Sequence, residues 1–325
     1  MRRSESIRLA KEAIAARRAQ NVENWERRIA EVSAKVPEFR EIDRALAATG
    51  TKIFAASLNR ENREAELEAV RSEYEALSAR RRRVLAENGY PDDYCDIRYT
   101  CPVCSDSGYV GIRMCDCLRK EIVARFLESS GLYALTETQT FDTFSLDYYE
   151  KDNKKLMEQN VEILKRYAES FEVGTSPSFL FLGATGLGKT HLSSAVARAV
   201  IEGGHYVVYE SAQGLFGEYE QRRFGNRSFG AAEDEGDTER FEDCDLLIID
   251  DLGAEITNQF TVSCLYHLLN TRMIRKKPTV ISTNLTHDEL RKRYSERITS
   301  RIFGEFHPLL FSGYDVRMQK IRRGQ

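Results

Sequence analysis

The residues with the clearest chemistry form a glycine-rich run that ends in lysine and threonine. Residues 183–190 read GATGLGKT, which fits the pattern G-x-x-x-x-G-K-[ST]. An apolar run precedes them and a helical pattern follows, as this pattern requires when it forms a phosphate loop. Glycines let backbone N–H groups approach phosphate oxygens, and the N-terminus of the following helix favours an anion. We therefore expect a nucleotide phosphate site here; an ordinary glycine-rich turn is the competing interpretation.

Two side chains of this run have distinct expected roles. Lys189 is expected to reach the β- and γ-phosphates of ATP, and the hydroxyl of Thr190 is expected to coordinate Mg²⁺. The residues predicted to hold the nucleotide are Gly183, Gly186, Leu187, Gly188, Lys189, Thr190 and His191.

A pair of acids follows a second apolar run. Residues 246–249 read LLII and lead into Asp250 and Asp251. This pattern predicts a buried strand that brings carboxylates beside the phosphates, although any strand can end in acids. We expect Asp250 to be a partner of Mg²⁺ and Asp251 to polarise the attacking water. For Glu255 two interpretations are open, an acid behind the site or a surface residue.

Further polar residues could complete a phosphate-transfer site. Asn284 ends the run TVISTN, and a polar residue at the carboxyl end of a parallel strand points into the ligand crevice; a loop-initiating asparagine is the alternative. Arg297 and Arg301 share one helix face, where they could pair with acids or reach the γ-phosphate of a neighbouring subunit. Arg317 is another candidate phosphate contact. Taken singly, each arginine also fits a plain surface role.

Four of the seven cysteines lie within residues 101–117. The two pairs are spaced C-x2-C and C-x-C, and Gly108 and Gly111 between them allow a tight hairpin. Four thiolates suit structural Zn²⁺. A redox dithiol, free thiols and an iron–sulfur cluster are the alternatives, and Cys95 could replace one ligand. The predicted zinc ligands are Cys101, Cys104, Cys115 and Cys117.

The elements that must position these residues follow from the apolar pattern. Between residues 178 and 313, five short runs alternate with helical patterns: SFLFLG, YVVYES, DLLIID, TVISTN and LLFSG. This alternation predicts a parallel α/β sheet. The acidic residues 230–243 are expected to form an exposed loop.

The first 94 residues have a different texture. Apolar residues recur at spacings of three and four from Val22 to Val36 and again from Leu67 to Leu77, which predicts two amphipathic helices with breaks at Pro37 and Gly50. They could pack on each other or dock on a partner. The run 80–83, all arginine, is expected to be a solvated helix face. The predicted regions are helical (1–94), zinc hairpin (95–120), helical connector (121–176) and α/β domain (177–325).

Composition excludes several classes of protein. The 325 residues are 30% charged and 42% hydrophobic, with 48 basic and 51 acidic residues and a net charge of −3. Such a chain is neither disordered throughout nor a basic nucleic-acid coat. It has no run of 18 apolar residues and no secretory signal, so we expect no membrane partner. Crowded cysteines in odd number favour a reducing, cytoplasmic setting.

The order of the motifs resembles that of a known family. GATGLGKTHL, LLIIDDLGAE, STNL, ERITSRI and SGYDVR, spread over about residues 140–320, resemble the DnaC/DnaI/IstB group of AAA+ ATPases. The resemblance implies a five-stranded AAA+ sheet with a reduced lid. It also implies that Asn284 is sensor 1, that Arg301 or Arg297 is a trans-acting finger, and that Arg317 is sensor 2. Asp251 replaces a more widespread glutamate, so we expect slow hydrolysis.

The same resemblance suggests a function and partners. The cysteine run is similar to the zinc segment of DnaI-like and phage DnaC-like loaders, which implies a replicative helicase loader. Its N-terminal region would hold a DnaB-type helicase, and its ATPase region would form a homo-oligomer and contact single-stranded DNA. An IstB-like transposition helper acting on duplex DNA and a transposase is the alternative. A metabolic P-loop kinase would need a substrate pocket and lid that the sequence does not indicate.

One segment is a candidate contact for single-stranded DNA, with two interpretations open. Residues 211–229 interleave aromatics with arginines, a pattern that suits base stacking and phosphate contact. Plain helix packing followed by a charged loop is the other interpretation. The candidate residues are Tyr219, Arg222, Arg223, Phe224, Arg227 and Phe229.

Overall fold

The computed structural model describes residues 3–58, 62–130, 138–224 and 238–322. The chain divides into two compact units, one of residues 11–117 and one of residues 1–10 with 118–325. The helical region and the cysteine hairpin therefore share a unit, and the connector belongs with the α/β domain. No helix in these described ranges is both long enough and apolar enough to cross a bilayer.

The N-terminal region contains three helices where two were expected: α1 (Arg3–Lys35), α2 (Pro37–Leu58) and α3 (Arg63–Glu87). Pro37 begins α2, at a position where its missing N–H costs nothing. The predicted break at Gly50 is wrong, because α2 continues through it. A glycine inside a helix costs only about 1 kcal/mol relative to alanine, and packing on α3 outweighs that cost.

The core of residues 11–117 lies between the three helices. Its fully buried centre includes Val32, Phe39, Leu85 and Cys95. Cys95 is therefore a core residue, and burial raises the pKa of its thiol to about 11. The expectation that the run 80–83 is solvated is wrong for Arg81. That guanidinium donates to the carbonyl of Cys95 at 2.7 Å and its side chain is only 12% exposed.

The cysteine segment forms a short hairpin. Strands β1 (Tyr109–Val110) and β2 (Arg113–Met114) pair antiparallel, and helix α4 (Asp116–Ser129) follows. Gly111 turns the hairpin with a φ of +60°, in the left-handed region that glycine adopts without strain. The predicted glycine hairpin is thus present.

The α/β domain contains the predicted parallel sheet. Strands β3 (Ser178–Leu182), β4 (Val207–Ser211), β5 (Leu246–Leu252), β6 (Thr279–Thr283) and β7 (Phe306–Leu310) lie in the order β4-β5-β6-β3-β7. The fifth strand begins three residues before the predicted run LLFSG and includes Pro308. An edge strand tolerates this proline because one side of it makes no ladder hydrogen bonds.

Helices flank the sheet. They are α5 (Lys151–Glu169), α6 (Lys189–Glu202), α7 (Ala212–Phe224), α8 (Glu239–Asp243), α9 (Gln259–Ile274), α10 (His287–Arg293), α11 (Glu296–Glu305) and α12 (Val316–Arg322). The short helix α8 lies where a loop was expected. Residues 225–237, with Arg227 and Phe229, lie outside the described residues.

Candidate functional site

The phosphate loop connects the end of β3 to the start of α6. Gly186 and Gly188 have φ values of +80° and +86°, and Gly188 is the N-cap of α6. Left-handed residues next to a helix N-terminus turn backbone N–H groups toward one point, which is the geometry that binds phosphate. The sequence-predicted loop is therefore positioned as an anion site.

Lys189 folds back into this loop. Its Nζ donates to the carbonyls of Gly183 and Ala184 at 2.5 and 2.7 Å, and the side chain is buried. Burial lowers the pKa of Lys189, while the charges of Asp251 and Asp250 act to raise it. The ammonium thus lies among carbonyl oxygens, which anionic phosphate oxygens could replace as acceptors.

Two hydroxyls surround the carboxylate of Asp250 at the end of β5. Thr190 Oγ1 donates to Asp250 Oδ2 at 3.0 Å, and Ser282 of β6 donates to Oδ1. The structure therefore brings together the two oxygen ligands predicted for Mg²⁺, and their chemistry fits this hard cation. Sequence reasoning missed Ser282, because only the pairing of β5 with β6 places it there.

Asp251 departs from regular strand geometry. Its φ is +57°, and the pairing of β5 with β6 shifts between Ile249 and Leu252, which marks a bulge. Its N–H donates to Ser282 Oγ at 2.9 Å. A bulge re-aims a side chain, and here Asp251 is exposed, with a charge that acts on Lys189 as that of Asp250 does.

The segment that carries Arg317 packs on the phosphate loop. The N–H of Val316 donates to the carbonyl of Gly186 at 2.9 Å, and Asp315 caps α12 by accepting from the N–H of Arg317 at 2.8 Å. The Arg317 charge acts to lower the pKa of Lys189. Arg317 is therefore near the loop, as sensor 2 would be.

The residues before α5 cover the other side of the loop. Tyr149 donates to the carbonyl of Leu187 at 3.0 Å, and Phe144 contacts the ring of His191 edge-on at 5.1 Å. His191 Nε2 lies 2.8 Å from the carbonyl of Thr140. Burial lowers the pKa of His191, which favours the neutral ring. The ring thus packs on Phe144, while one of its nitrogens contacts the carbonyl of Thr140.

The remaining predicted residues lie in separate places. Asn284 is exposed just after β6. Arg297 and Arg301 are both on α11; Arg297 is exposed, and the Arg301 guanidinium lies 4.7 Å from the ring centre of Tyr266. Within the described ranges, neither arginine forms an ion pair with a carboxylate.

Of the two interpretations of Glu255, the surface residue is wrong. It is only 4% exposed, and its carboxylate accepts hydrogen bonds from the backbone of Gly253 and the hydroxyl of Tyr294. Burial and the hydrogen bond to Glu255 raise the pKa of Tyr294, which keeps its hydroxyl protonated as a donor. Glu255 is thus an internal acid, and nothing in the local sequence pointed to Tyr294.

Four cysteine sulfurs converge at the base of the hairpin. The ligand atoms of Cys101, Cys104, Cys115 and Cys117 all lie within 4.8 Å of one another. The sulfurs of Cys104 and Cys117 lie 3.4 Å apart, and those of Cys101 and Cys115 lie 3.8 Å apart. Sulfurs around a tetrahedral Zn²⁺ lie about 3.8 Å apart, given Zn–S bonds of about 2.3 Å. The donor set therefore fits zinc, and Cys95 is not part of it.

A buried aspartate braces this cluster. Asp106 accepts hydrogen bonds from the N–H of Cys101 at 2.9 Å and of Thr100 at 2.8 Å, and it pairs with Arg17 at 3.0 Å. Burial acts to raise the pKa of Asp106, but these donors outweigh it and lower the pKa. Sequence reasoning missed this residue, although a polar residue inside a cysteine cluster is a detectable signal.

Comparison with known proteins places the chain in a family. The profile described as "IstB-like ATP binding protein" matches residues 132–303, which is more than half of the chain. The chain belongs to this family. It is therefore an AAA+ ATPase, which confirms the family and fold that the motifs suggested.

Relatives of this IstB-like ATPase include helicase loaders. The replicative helicase loader DnaC of Buchnera aphidicola subsp. Acyrthosiphon pisum is 25% identical over 178 residues, or 55% of this chain and 68% of that protein. DnaC of Escherichia coli K12 is 24% identical over the same shares of both chains. A crystal structure of the DnaC helicase loader is similar with a TM-score of 0.46 and 19% identity, over 55% of this chain and 98% of that one.

Proposed function

We propose that this IstB-like ATPase is a replicative helicase loader that uses ATP to place a DnaB-type helicase on single-stranded DNA. One observation carries the proposal. The chain has a candidate nucleotide site in one unit, and a separate unit contains helices and a cysteine cluster. The similarity to proteins named replicative helicase loader supports it. The nucleotide site would supply regulation, and the helical unit would supply the partner contact.

In the proposed reaction, the chain hydrolyses ATP to ADP and phosphate. Lys189 and the N–H groups of the phosphate loop hold the phosphates, and Thr190 and Asp250 provide oxygen ligands for Mg²⁺, which neutralises phosphate charge when bound. Asp251 accepts a hydrogen bond from the attacking water, and Asn284 orients it. Water oxygen bonds to the γ-phosphorus, the bond to the β–γ bridging oxygen breaks, and the water proton leaves through Asp251.

A second copy of the chain completes the site in this proposal. Arg301, or Arg297 one helical turn away, lies on the surface helix α11 and has no carboxylate partner among the described residues. A guanidinium that forms no ion pair, on the outer face of a helix, suits a trans-acting finger that stabilises charge on a neighbour's γ-phosphate. Arg317, which follows the residue that bonds to the phosphate loop, acts within its own subunit.

We assign helicase binding to the unit of residues 11–117, with Zn²⁺ as its structural metal. The cysteine segment presents apolar side chains to solvent: Ile112 in the hairpin turn is 99% exposed, and Val103 between the first two cysteines is 72% exposed. Exposed apolar clusters are characteristic of protein–protein contact sites. The four cysteines would hold the hairpin rigid, so that Zn²⁺ serves the shape of this surface.

Single-stranded DNA contact is assigned to the end of α7. Tyr219 stacks on Phe241 at 6.0 Å and is not free to stack on bases. Arg222 and Arg223 are exposed; Arg222 also pairs with Glu239 at 3.8 Å, and the Arg223 guanidinium lies 4.9 Å from the ring centre of Phe260. The proposed DNA contact is therefore phosphate binding by these two arginines. Tyr219 instead fits the alternative interpretation, in which the helix only packs on the domain.

A transposition helper is the second candidate, because the family profile carries the IstB name. Such a protein would bind duplex DNA and a transposase. The unit of residues 11–117 lies outside residues 132–303, which the IstB-like profile matches, and its cysteine run resembles the zinc segment of loaders, so it favours the loader.

The nucleotide part of the proposal is tested by replacing Lys189. We expect Lys189→Ala to lose at least tenfold in ATP affinity, measured by titration with a fluorescent ATP analogue, because one phosphate-binding cation is removed. Lys276→Ala, a lysine outside the site, is the matched control and should bind as the wild type does. Unchanged affinity in Lys189→Ala would refute the site.

A further inference from the structure

A buried carboxylate holds the turn that follows the candidate water-polarising residue. Glu255 Oε2 accepts a hydrogen bond from the N–H of Gly253 at 2.8 Å, and its Oε1 accepts from the hydroxyls of Thr257 at 3.2 Å and of Tyr294. Gly253 lies two residues after Asp251 in the chain. The carboxylate thus joins the end of β5 to a distant part of the domain.

The distant part is the corner between α10 and α11. Arg293, the last residue of α10, donates to the carbonyl of Glu255 at 2.5 Å and to Thr257 Oγ1 at 2.7 Å. Tyr294 follows it and is only 2% exposed. Ser295 is then the N-cap of α11. A side-chain and backbone network therefore fixes the residues from which α11 starts.

Helix α11 carries both candidate fingers. Arg297 and Arg301 lie within its first two turns, and Arg301 also packs on Tyr266 of α9. Because a short helix moves as one body, a tie at its first residues sets where its long side chains point. A misplacement of about 1 Å in a group that contacts reacting atoms can lower the rate by about 100-fold.

We propose that Glu255 and Tyr294 are positioning residues that hold α11 so that its arginine reaches ATP bound by a second copy of the chain. This inference rests on the proposed function, since it requires a trans-acting arginine. Neither residue contacts substrate; both act through the guanidinium on α11. The competing interpretation is that the pair acts only on Asp251 in its own subunit.

Mixing experiments separate these two interpretations. Full-length Tyr294→Phe loses one hydroxyl, and Glu255→Gln keeps the side-chain shape but changes one acceptor into a donor. We expect both to hydrolyse ATP about 10- to 100-fold more slowly while binding a fluorescent ATP analogue within twofold of the wild type. Tyr167→Phe is the matched control, since its buried hydroxyl has no hydrogen-bond partner among the described residues.

The decisive measurement mixes Tyr294→Phe with Lys189→Ala. An intact phosphate loop in one chain then meets an intact α11 in the other, and random pairing should restore about one quarter of the wild-type rate per total protein. Two further mixtures test the trans-acting arginine itself. One combines Arg301→Ala with Lys189→Ala, and the other combines Arg297→Ala with Lys189→Ala. If neither arginine mixture recovers activity, the trans-acting arginine fails and this inference with it.

Three results would overturn the inference alone. In the first, an arginine mixture recovers ATP hydrolysis while the Tyr294→Phe mixture stays inactive. In the second, Tyr294→Phe alone hydrolyses ATP within twofold of the wild-type rate. In the third, Tyr167→Phe loses as much ATP hydrolysis as Tyr294→Phe does. If Tyr294→Phe fails to fold, as judged by its thermal unfolding, the same comparisons apply to Glu255→Gln.

Discussion

At the residue scale, the middle glycine of the phosphate loop is constrained twice. Gly186 has a φ of +80°, and a Cβ built on it would lie 2.2 Å from Asp315 Oδ1. Asp315 also caps α12, which carries Arg317. The glycine therefore lets the cap of α12 close on the loop.

This arrangement predicts the behaviour of a double-mutant cycle. Gly186→Ala should weaken ATP binding at least tenfold, because the alanine methyl pushes Asp315 away and the left-handed backbone costs about 1–2 kcal/mol. Adding Asp315→Ala should recover part of that loss by removing the clash. Affinities come from titration with a fluorescent ATP analogue. Gly217→Ala, where a Cβ meets nothing within 4 Å, is the control. Additive effects of the two substitutions would contradict the contact.

Residue types and spacing were enough to predict that residues 183–190 connect a strand to a helix and that Asp250 lies close to Thr190, although not the hydrogen bond between them. They could not predict Ser282, because its position depends on the register of β6 against β5. They also could not predict the left-handed backbone of Asp251, since a bulge is a property of two paired strands. Glu255 was left open for the same reason, as its partner Tyr294 is distant in sequence.

At the element scale, the hairpin of β1 and β2 should depend on a metal. Purified full-length protein should contain about one Zn²⁺ per chain, because four thiolates bind this ion tightly and its binding stabilises the fold. Cys104→Ser should lose the metal and unfold at a lower temperature. Cys264→Ser, which lies outside the cluster, should keep the wild-type metal content and unfolding temperature. Elemental analysis and thermal unfolding provide the measurements. Iron, or four free thiols without metal after anaerobic purification, would refute the zinc assignment.

The elements were predictable where one period or one residue type dominates. The alternating apolar runs predicted the five strands, and the two glycines between the cysteine pairs predicted the hairpin. The sequence misled at Gly50, where contacts of α2 with α3 outweigh a weak local preference, and at Pro308, which an edge strand accepts. It also misled at Arg81, since a run of arginines does not reveal which one finds a buried carbonyl.

At the scale of the whole molecule, DNA binding should depend on salt through α7. Replacing Arg222 and Arg223 with alanine should lower the affinity for single-stranded DNA and flatten its salt dependence, because fewer counterions are released. Arg166→Ala, an exposed arginine on α5, is the control. Fluorescence anisotropy at several salt concentrations gives the slope. An unchanged slope would remove α7 from the DNA contact.

The two units should also divide the work of the chain. The residues proposed to bind the nucleotide lie within residues 118–325, and the exposed hairpin lies within residues 11–117. A substitution on the hairpin surface should therefore leave ATP binding unchanged. This separation could be anticipated from the change in sequence texture, but the grouping of the cysteine hairpin with the helices depends on contacts such as Arg17 with Asp106.

The most direct test of the account is whether the full-length chain retains a replicative helicase. The tagged wild type, mixed with the purified hexameric helicase encoded in the same genome, should co-elute with it in size-exclusion chromatography. Ile112→Asp places a charge on the 99% exposed hairpin tip and should abolish co-elution while ATP binding stays within twofold. A wild-type chain that ignores the helicase but binds a transposase and duplex DNA would contradict the account and favour the transposition helper.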